Sequence, residues 1–223
     1  MPPRSRVFDS SVGIKLLIGM TGLALFVYLI IHVTGNALVT VSPGAFNGFH
    51  ETMTSNPLLP AIEIALLLVF LLHIYKTVTM YLRNQQARPV RYQVKKPAGS
   101  PSRKTLASST MIVTGLWLVV FLVFHVRAFR FPPHYETPTG AMDLYRIEME
   151  NLAHPLTVAF YVLTMLIAGS HLWHGASSAL QSLGFDHPRW SPRLLVLGKV
   201  ASVAIAGGFI VITLWVFFAG GRP

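Results

Sequence analysis

Cysteine is absent from all 223 residues, which removes iron–sulphur ligation, disulfide bonds and covalent CxxCH haem attachment from the chemistry open to this chain. A redox cofactor held here must be ligated through histidine or methionine. Charge is also scarce: Asp, Glu, Lys and Arg make up 12% of the residues, and 8 acidic side chains stand against 18 basic ones. With 52% hydrophobic residues and a mean hydropathy of +0.55, the chain is more apolar than a soluble core of this size requires. These values describe an integral membrane protein.

Long apolar runs supply the architecture. Five stretches carry few or no charges, at 16–34, 61–82, 106–126, 155–179 and 194–219. Each is long enough to cross a ~30 Å hydrocarbon core as a helix. We therefore expect an all-α membrane protein, a bundle of five transmembrane helices at approximately 14–35, 60–83, 106–129, 155–183 and 194–219, forming a single membrane domain over residues 1–223. The first run exceeds a signal-peptide core and ends in "HVTGN" without a small-residue cleavage pattern, so it reads as a span.

Basic residues are distributed unevenly between the two ends of such a bundle. Arg4, Arg6 and Lys15 lead into the first span, Arg83, Arg88, Arg91, Lys95, Lys96, Arg103 and Lys104 join the second to the third, and Arg189, Arg193 and Lys199 join the fourth to the fifth. The opposite side carries Arg127, Arg130, Arg146 and Arg222. The positive-inside rule then places the N-terminus in the cytoplasm and the C-terminus outside. The net charge of +10 is chiefly this topology signal, with anionic lipid or a docking partner as a second reading. Nucleic-acid binding is not needed to explain it.

The inner stretch "RNQQARPVRYQVKKPAGSPSRK" lacks hydrophobic periodicity and reads as an extended connector on the cytoplasmic face, where a soluble partner could dock. On the outer side, the turn-rich "FPPHYETPTG" precedes "AMDLYRIEMENL", in which Met142, Tyr145, Met149 and Leu152 recur at helical spacing. A short helix along the outer surface is expected there.

Four spans each bring a histidine into the membrane: His32, His73, His125 and His171, the last with His174 beside it in "SHLWHG". Ionisable side chains inside spans are costly and usually face the bundle interior. Depth pairs them. Counting from Lys15 and Lys104, His32 and His125 lie 17 and 21 residues along their helices, or ~25 and ~31 Å, toward the outer side. Counting inward from Pro60 and Pro155, His73 and His171 lie 13 and 16 residues deep, or ~20 and ~24 Å, toward the inner side. Two pairs at two depths are what two bis-histidine haems stacked across a membrane require. Gly35 and Gly175, three and four residues after His32 and His171, leave space near the helix backbone. Metal transport, a proton relay and purely structural histidines remain alternatives. Within "SHLWHG", His171 is the deeper residue and shares a face with Gly175, whereas His174 is followed by Ser177, Ser178 and Gln181 on a polar strip.

Several longer motifs point the same way. "FNGFHETMTSNPLLPAIEIALLLVFLLHIYKTV", "DLYRIEMENLAHP", "SHLWHGASSALQSLG" and "HVTGNALV" resemble the cytochrome b membrane subunit of the succinate dehydrogenase/fumarate reductase (complex II) family, in its five-helix, di-haem form. The similarity runs from about Ser11 to Phe218. It implies a bacterial cytoplasmic-membrane anchor for a flavoprotein and an iron–sulphur subunit, passing electrons between the iron–sulphur centres and membrane quinone through two haem b groups. It also implies His32 and His125 as axial ligands of the outer (distal) haem and His73 and His171 of the inner (proximal) haem, menaquinone as the commoner quinone, and room for a higher oligomer of the complex. Neither the residues nor the resemblance decides between succinate oxidation and fumarate reduction. A cytochrome b subunit of a hydrogenase or formate dehydrogenase, or a haem-free transporter, are the rival readings.

Glu63, in the outer first turn of the second span, is a candidate for exchanging a quinone proton, with complementing the helix N-terminus as its alternative role. His50, in the outer loop, is a weaker candidate of the same kind. Lys76, Arg83, Arg127 and Arg130 lie within about three turns of the haem levels and are candidate propionate partners, although topology alone also places basic residues there. Lys199 can snorkel, and Trp117, Trp173, Trp190 and Trp215 read as packing or interfacial anchors. Nothing in the chain offers a catalytic residue for a dicarboxylate.

Overall fold

The structure, a computed structural model, describes residues 10–87, 106–185 and 187–220. The first residues of the stretch read as an extended connector, Arg83 to Gln86, instead continue the helix of the second span, Leu59–Gln86, and the rest of it, 88–104 with the marker Lys104, falls outside the described residues. Seven α-helices follow one another: α1 (Ser11–Ala37), closed by a 3-10 turn (Leu38–Thr40), α2 (Pro43–Thr54), α3 (Leu59–Gln86), α4 (Leu106–Arg130), α5 (Leu144–Asn151), α6 (Pro155–Ser182) and α7 (Ser191–Trp215), which widens into a π turn (Val216–Gly220). Five of them, α1, α3, α4, α6 and α7, are long and apolar enough to cross a membrane. Among the described residues the protein is all-helical, and its five long apolar helices make it a multi-pass membrane protein.

Most helices run past the apolar stretches that mark them, because their ends are made by polar caps and turns. Ser10 Oγ accepts the Gly13 N–H at 3.0 Å to start α1, and Pro155 and Pro192 sit in the first turns of α6 and α7, where no N–H is missed. Gly184, at φ 81°, ends α6 in the left-handed conformation that glycine adopts without strain.

Segment 43–54, part of the outer loop by its composition, is helical. Ser42 Oγ accepts the Ala45 N–H at 3.1 Å, with Pro43 at the first helical position. This short helix is tied to α5 through Asn47, whose Nδ2 donates to Asp143 Oδ1 at 2.9 Å and whose Oδ1 accepts the Tyr145 N–H at 2.8 Å. Asp143 also caps α5. The two helices thus roof one end of the bundle, over a core of Val39, Phe46, Leu152, Val158, Ile212 and Val216.

Packing is uneven along the chain. The α6–α7 pair is the closest: a Cβ on Gly169 would meet Ala206 at 3.0 Å and one on Gly198 would meet Ala176 at 3.1 Å, the small-residue contact that lets membrane helices approach. α1 packs against α3, α6 and α7, and α4 against α6. No residue of α3 or α4 is fully buried. These two loosely packed helices each carry one of the span histidines.

Candidate functional site

His32 on α1, His73 on α3, His125 on α4 and His171 on α6 are all half-buried. His32 and His125 meet in ring contact, with centroids 5.8 Å apart and planes at 88°. His73 and His171 each meet a threonine hydroxyl of a facing helix, at 3.0 Å in both cases. α1 and α4 build both levels. α1 contributes Thr21 and Gly22 beside His73 and, eleven positions later, His32; α4 contributes Thr114 and Gly115 beside His171 and, eleven positions later, His125. Eleven residues are about three turns, so each pair of groups shares one helix face at levels ~16 Å apart.

At the first level the threonines set the imidazole tautomer. Thr21 Oγ1 donates to the Leu17 carbonyl at 2.6 Å and lies 3.0 Å from His73 Nδ1. With its hydrogen engaged, the hydroxyl oxygen accepts from Nδ1–H, which leaves the lone pair on Nε2. Thr114 repeats this on His171: its Oγ1 donates toward the Met111 and Thr110 carbonyls at 3.1 and 3.2 Å and lies 3.0 Å from Nδ1. One turn from His73, Thr77 Oγ1 is buried without a hydrogen-bond partner.

The second level is aromatic. Tyr28 stacks on His32 at 5.4 Å and Phe209 lies 5.5 Å away, while Phe121 and Phe129 flank His125 at 5.4 and 5.1 Å. The polar contacts are longer here: His125 Nδ1 is 3.3 Å from the Tyr161 hydroxyl, and Asn36 Nδ2 is 3.4 Å from His32 Nδ1. An amide donating to Nδ1 would put the His32 proton on Nε2, so this level does not present two fixed lone pairs.

These residues fit axial ligation of a haem. Two imidazoles sharing one metal at ~2.0–2.1 Å from each nitrogen have ring centroids roughly 6 Å apart, close to the 5.8 Å between His32 and His125. At the first level both rings have Nδ1 engaged by a threonine hydroxyl, the arrangement that orients a metal-bound histidine. Among the described residues no three of His, Cys, Asp and Glu gather at one point. Two per level is the number that axial ligation uses. Space beside the histidines comes from different glycines than expected. A Cβ on Gly22 would approach His73 Cε1 to 3.2 Å and one on Gly115 would approach His171 Cε1 to 3.5 Å. Gly35 serves the roof, since a Cβ there would meet Phe49 at 2.6 Å, while Gly175 faces open space. The sequence signal for the missed residues is the recurrence of Thr-Gly-Leu at 21–23 and 114–116, eleven positions ahead of His32 and His125.

The other candidates lie mainly at the roofed end. Glu63 on α3 pairs with Arg130 on α4, 3.3 Å from Arg130 Nε to Oε1, bridging two helices that otherwise touch little. His50 lies on α2, and its imidazole is held below the usual range by burial and by Arg130. Arg127 donates to the Phe131 carbonyl. Lys76 lies over the Tyr75 ring at 5.5 Å, and Arg83 sits in the last turn of α3. His174 is half-buried and makes none of the threonine contacts of His171.

The chain matches no family model, no curated protein and no solved structure.

Proposed function

We propose that this protein is a di-haem cytochrome b membrane anchor of a succinate:quinone oxidoreductase, carrying electrons between an iron–sulphur subunit and membrane quinone. The observation that carries the reading is the repeated unit on α1 and α4: a Thr-Gly beside the histidine of one level and, three turns on, a histidine of the other. Such a unit supplies two ligand pairs on one axis, separated by about half the ~30 Å hydrocarbon core. The complex II assignment rests in addition on the motif resemblance, which brings with it the flavoprotein and iron–sulphur partners, menaquinone, the bacterial cytoplasmic membrane and a cytoplasmic N-terminus.

In this reading His73 and His171 hold the inner haem and His32 and His125 the outer one. The haems, when bound, supply reversible one-electron chemistry between the two faces. The protein supplies position and surroundings. Thr21 and Thr114 keep the Nδ1–H of their histidines engaged, so the rings cannot turn their lone pairs away. The rings of Tyr28, Phe121, Phe129 and Phe209 keep water from the second pair. At the roofed end Glu63, steadied by Arg130, exchanges the quinone proton, with His50 next to the same arginine.

A pyridine haemochrome assay on the purified chain tests this directly. Two non-covalent haems per chain are expected, both extractable by acid acetone. A chain without haem overturns the proposal, and haem that succinate reduces in the absence of any partner subunit overturns the division of labour.

A further inference from the structure

A groove between α6 and α7 plays no part in the proposed function. It has a volume of about 490 Å³ and is lined along α6 by Met165, Gly169 and Trp173 and along α7 by Val203, Gly207 and Ile210. On each helix these residues recur every three or four positions and so share one face. On α6 it is the face turned away from His171. The two helices touch at its floor, where a Cβ on Gly169 would meet Ala206 at 3.0 Å, whereas a Cβ on Gly207 would meet nothing within 4 Å. The space therefore exists because residue 207 has no side chain, and the exposed Val203 and Trp173 leave it open toward the membrane.

A cation stands at one end of the groove. Lys199 lies on the same face of α7, one turn before Val203, and its ammonium sits 5.2 Å from the centroid of the Trp173 ring. No carboxylate among the described residues pairs with it. A helical side chain tilts toward the N-terminus of its helix, which directs Lys199 to the end of the bundle opposite the roof, where Arg193 lies over the Trp190 ring at 5.4 Å. A lysine within a span is costly unless it reaches water or an anion. From Lys199 to Ile210 is eleven residues, or ~16 Å, about half of the ~30 Å hydrocarbon core and so the depth of one leaflet.

We propose that the α6–α7 groove binds one anionic phospholipid of the leaflet on the unroofed side, with an acyl chain lying along Gly207 and the phosphate held by Lys199. Basic pockets between membrane helices recognise lipid headgroups in this way. The charge selects this occupant over others. An uncharged tail gains nothing from the ammonium, and a second copy docked face to face at the same depth would bring another Lys199 to that end, where like charges repel.

Native mass spectrometry of the purified full chain, delipidated and returned to micelles containing phosphatidylglycerol or phosphatidylcholine, tests the proposal. One phosphatidylglycerol per chain should be retained about fivefold more strongly than phosphatidylcholine, the factor that one lysine contributes at an anionic lipid. Lys199→Gln should erase that preference and keep the remaining affinity for both lipids. Gly207→Leu, whose new Cβ enters open space, should fill the groove and weaken both. Thermal melts check that the two variants remain folded, and wild type should melt higher with phosphatidylglycerol than with phosphatidylcholine. A preference that survives Lys199→Gln, equal retention of the two lipids by wild type, or stabilisation by inorganic phosphate that matches phosphatidylglycerol overturns the proposal. So does a dimer that Gly207→Leu splits while neither lipid is retained.

Discussion

His73 and His171 each meet a threonine on the facing helix, at 3.0 Å in both cases, whereas His32 and His125 sit among aromatic rings with polar contacts of 3.4 and 3.3 Å. The first level is built by hydrogen bonds that choose a tautomer, and the second by ring packing that leaves the proton less constrained. The surroundings differ in the same sense. The second level has the hydroxyl of Tyr161 and the amide of Asn36, while the first has Thr21, Thr114 and the unpartnered hydroxyl of Thr77. Two pairs of the same residue type can therefore differ in surroundings, one held by hydroxyl contacts and one packed among rings.

Removing a ligand has the largest expected effect on this comparison. His73→Ala or His171→Ala should cost the first haem and leave the second, His32→Ala or His125→Ala should do the reverse, and His174→Ala should keep both, all read by haem content and spectrum. Loss of the first haem in His174→Ala but not in His171→Ala would move the site on α6 by one turn.

Removing the tautomer control should cost less. Thr21→Val and Thr114→Val keep the packing shape but free Nδ1, and loss of such an outer contact typically lowers metal affinity by about 10–100-fold. Haem retention at the first level should fall on that scale during dilution or competition with apomyoglobin. Tyr161→Phe should weaken retention at the second level less, because its contact with His125 is longer. Equal losses in all three variants would dissolve the distinction between the levels.

The buried carboxyl of Glu148 should also show in stability. Its carboxyl rises from 4.5 to about 7 on burial, so below about 4.5 it is neutral in both folded and unfolded chains. As pH rises from there to about 7 the unfolded chain releases the proton first, and stability falls by about 3 kcal/mol in all. Thermal melts of the wild type should weaken across this window. Glu148→Gln should flatten the change and be the more stable protein at pH 8; an unchanged pH profile in the variant would place the loss elsewhere.

The smallest effects concern the two glycines of the repeated unit. A methyl on Gly115 makes an ordinary contact at 3.5 Å, so Gly115→Ala should gain the ~0.5–1 kcal/mol that alanine brings to a helix interior. A methyl on Gly22 presses His73 Cε1 at 3.2 Å, so Gly22→Ala should lose that gain and shift the spectrum of the first haem. Identical behaviour of both variants in melts and spectra would show that His73 yields as readily as His171 does.

Much of the architecture is legible along the chain. The five apolar runs follow from the length that a helix needs to cross hydrocarbon, and the four span histidines stand out because polar groups are costly there. α2 was missed because its start depends on one serine cap in a segment with little apolar periodicity. On α5, the stripe through Met142, Tyr145, Met149 and Leu152 marked a helix, yet the residues buried along it are Ile147 and Glu148. A helix of eight residues is oriented by what it is tied to, here Asn47 and the core beneath, more than by its own periodicity.

Sequence alone determined the number of crossings, the chemistry excluded by the absence of cysteine, and the four histidines, since each of these depends on local composition and helix geometry. Only the tertiary structure decided that threonines on α1 and α4 orient histidines on α3 and α6, that Tyr161 reaches His125, and that Glu148 is enclosed. Those contacts join residues 36 to 57 positions apart for the hydrogen bonds, and no property of either partner's own helix specifies which neighbouring helix it will face.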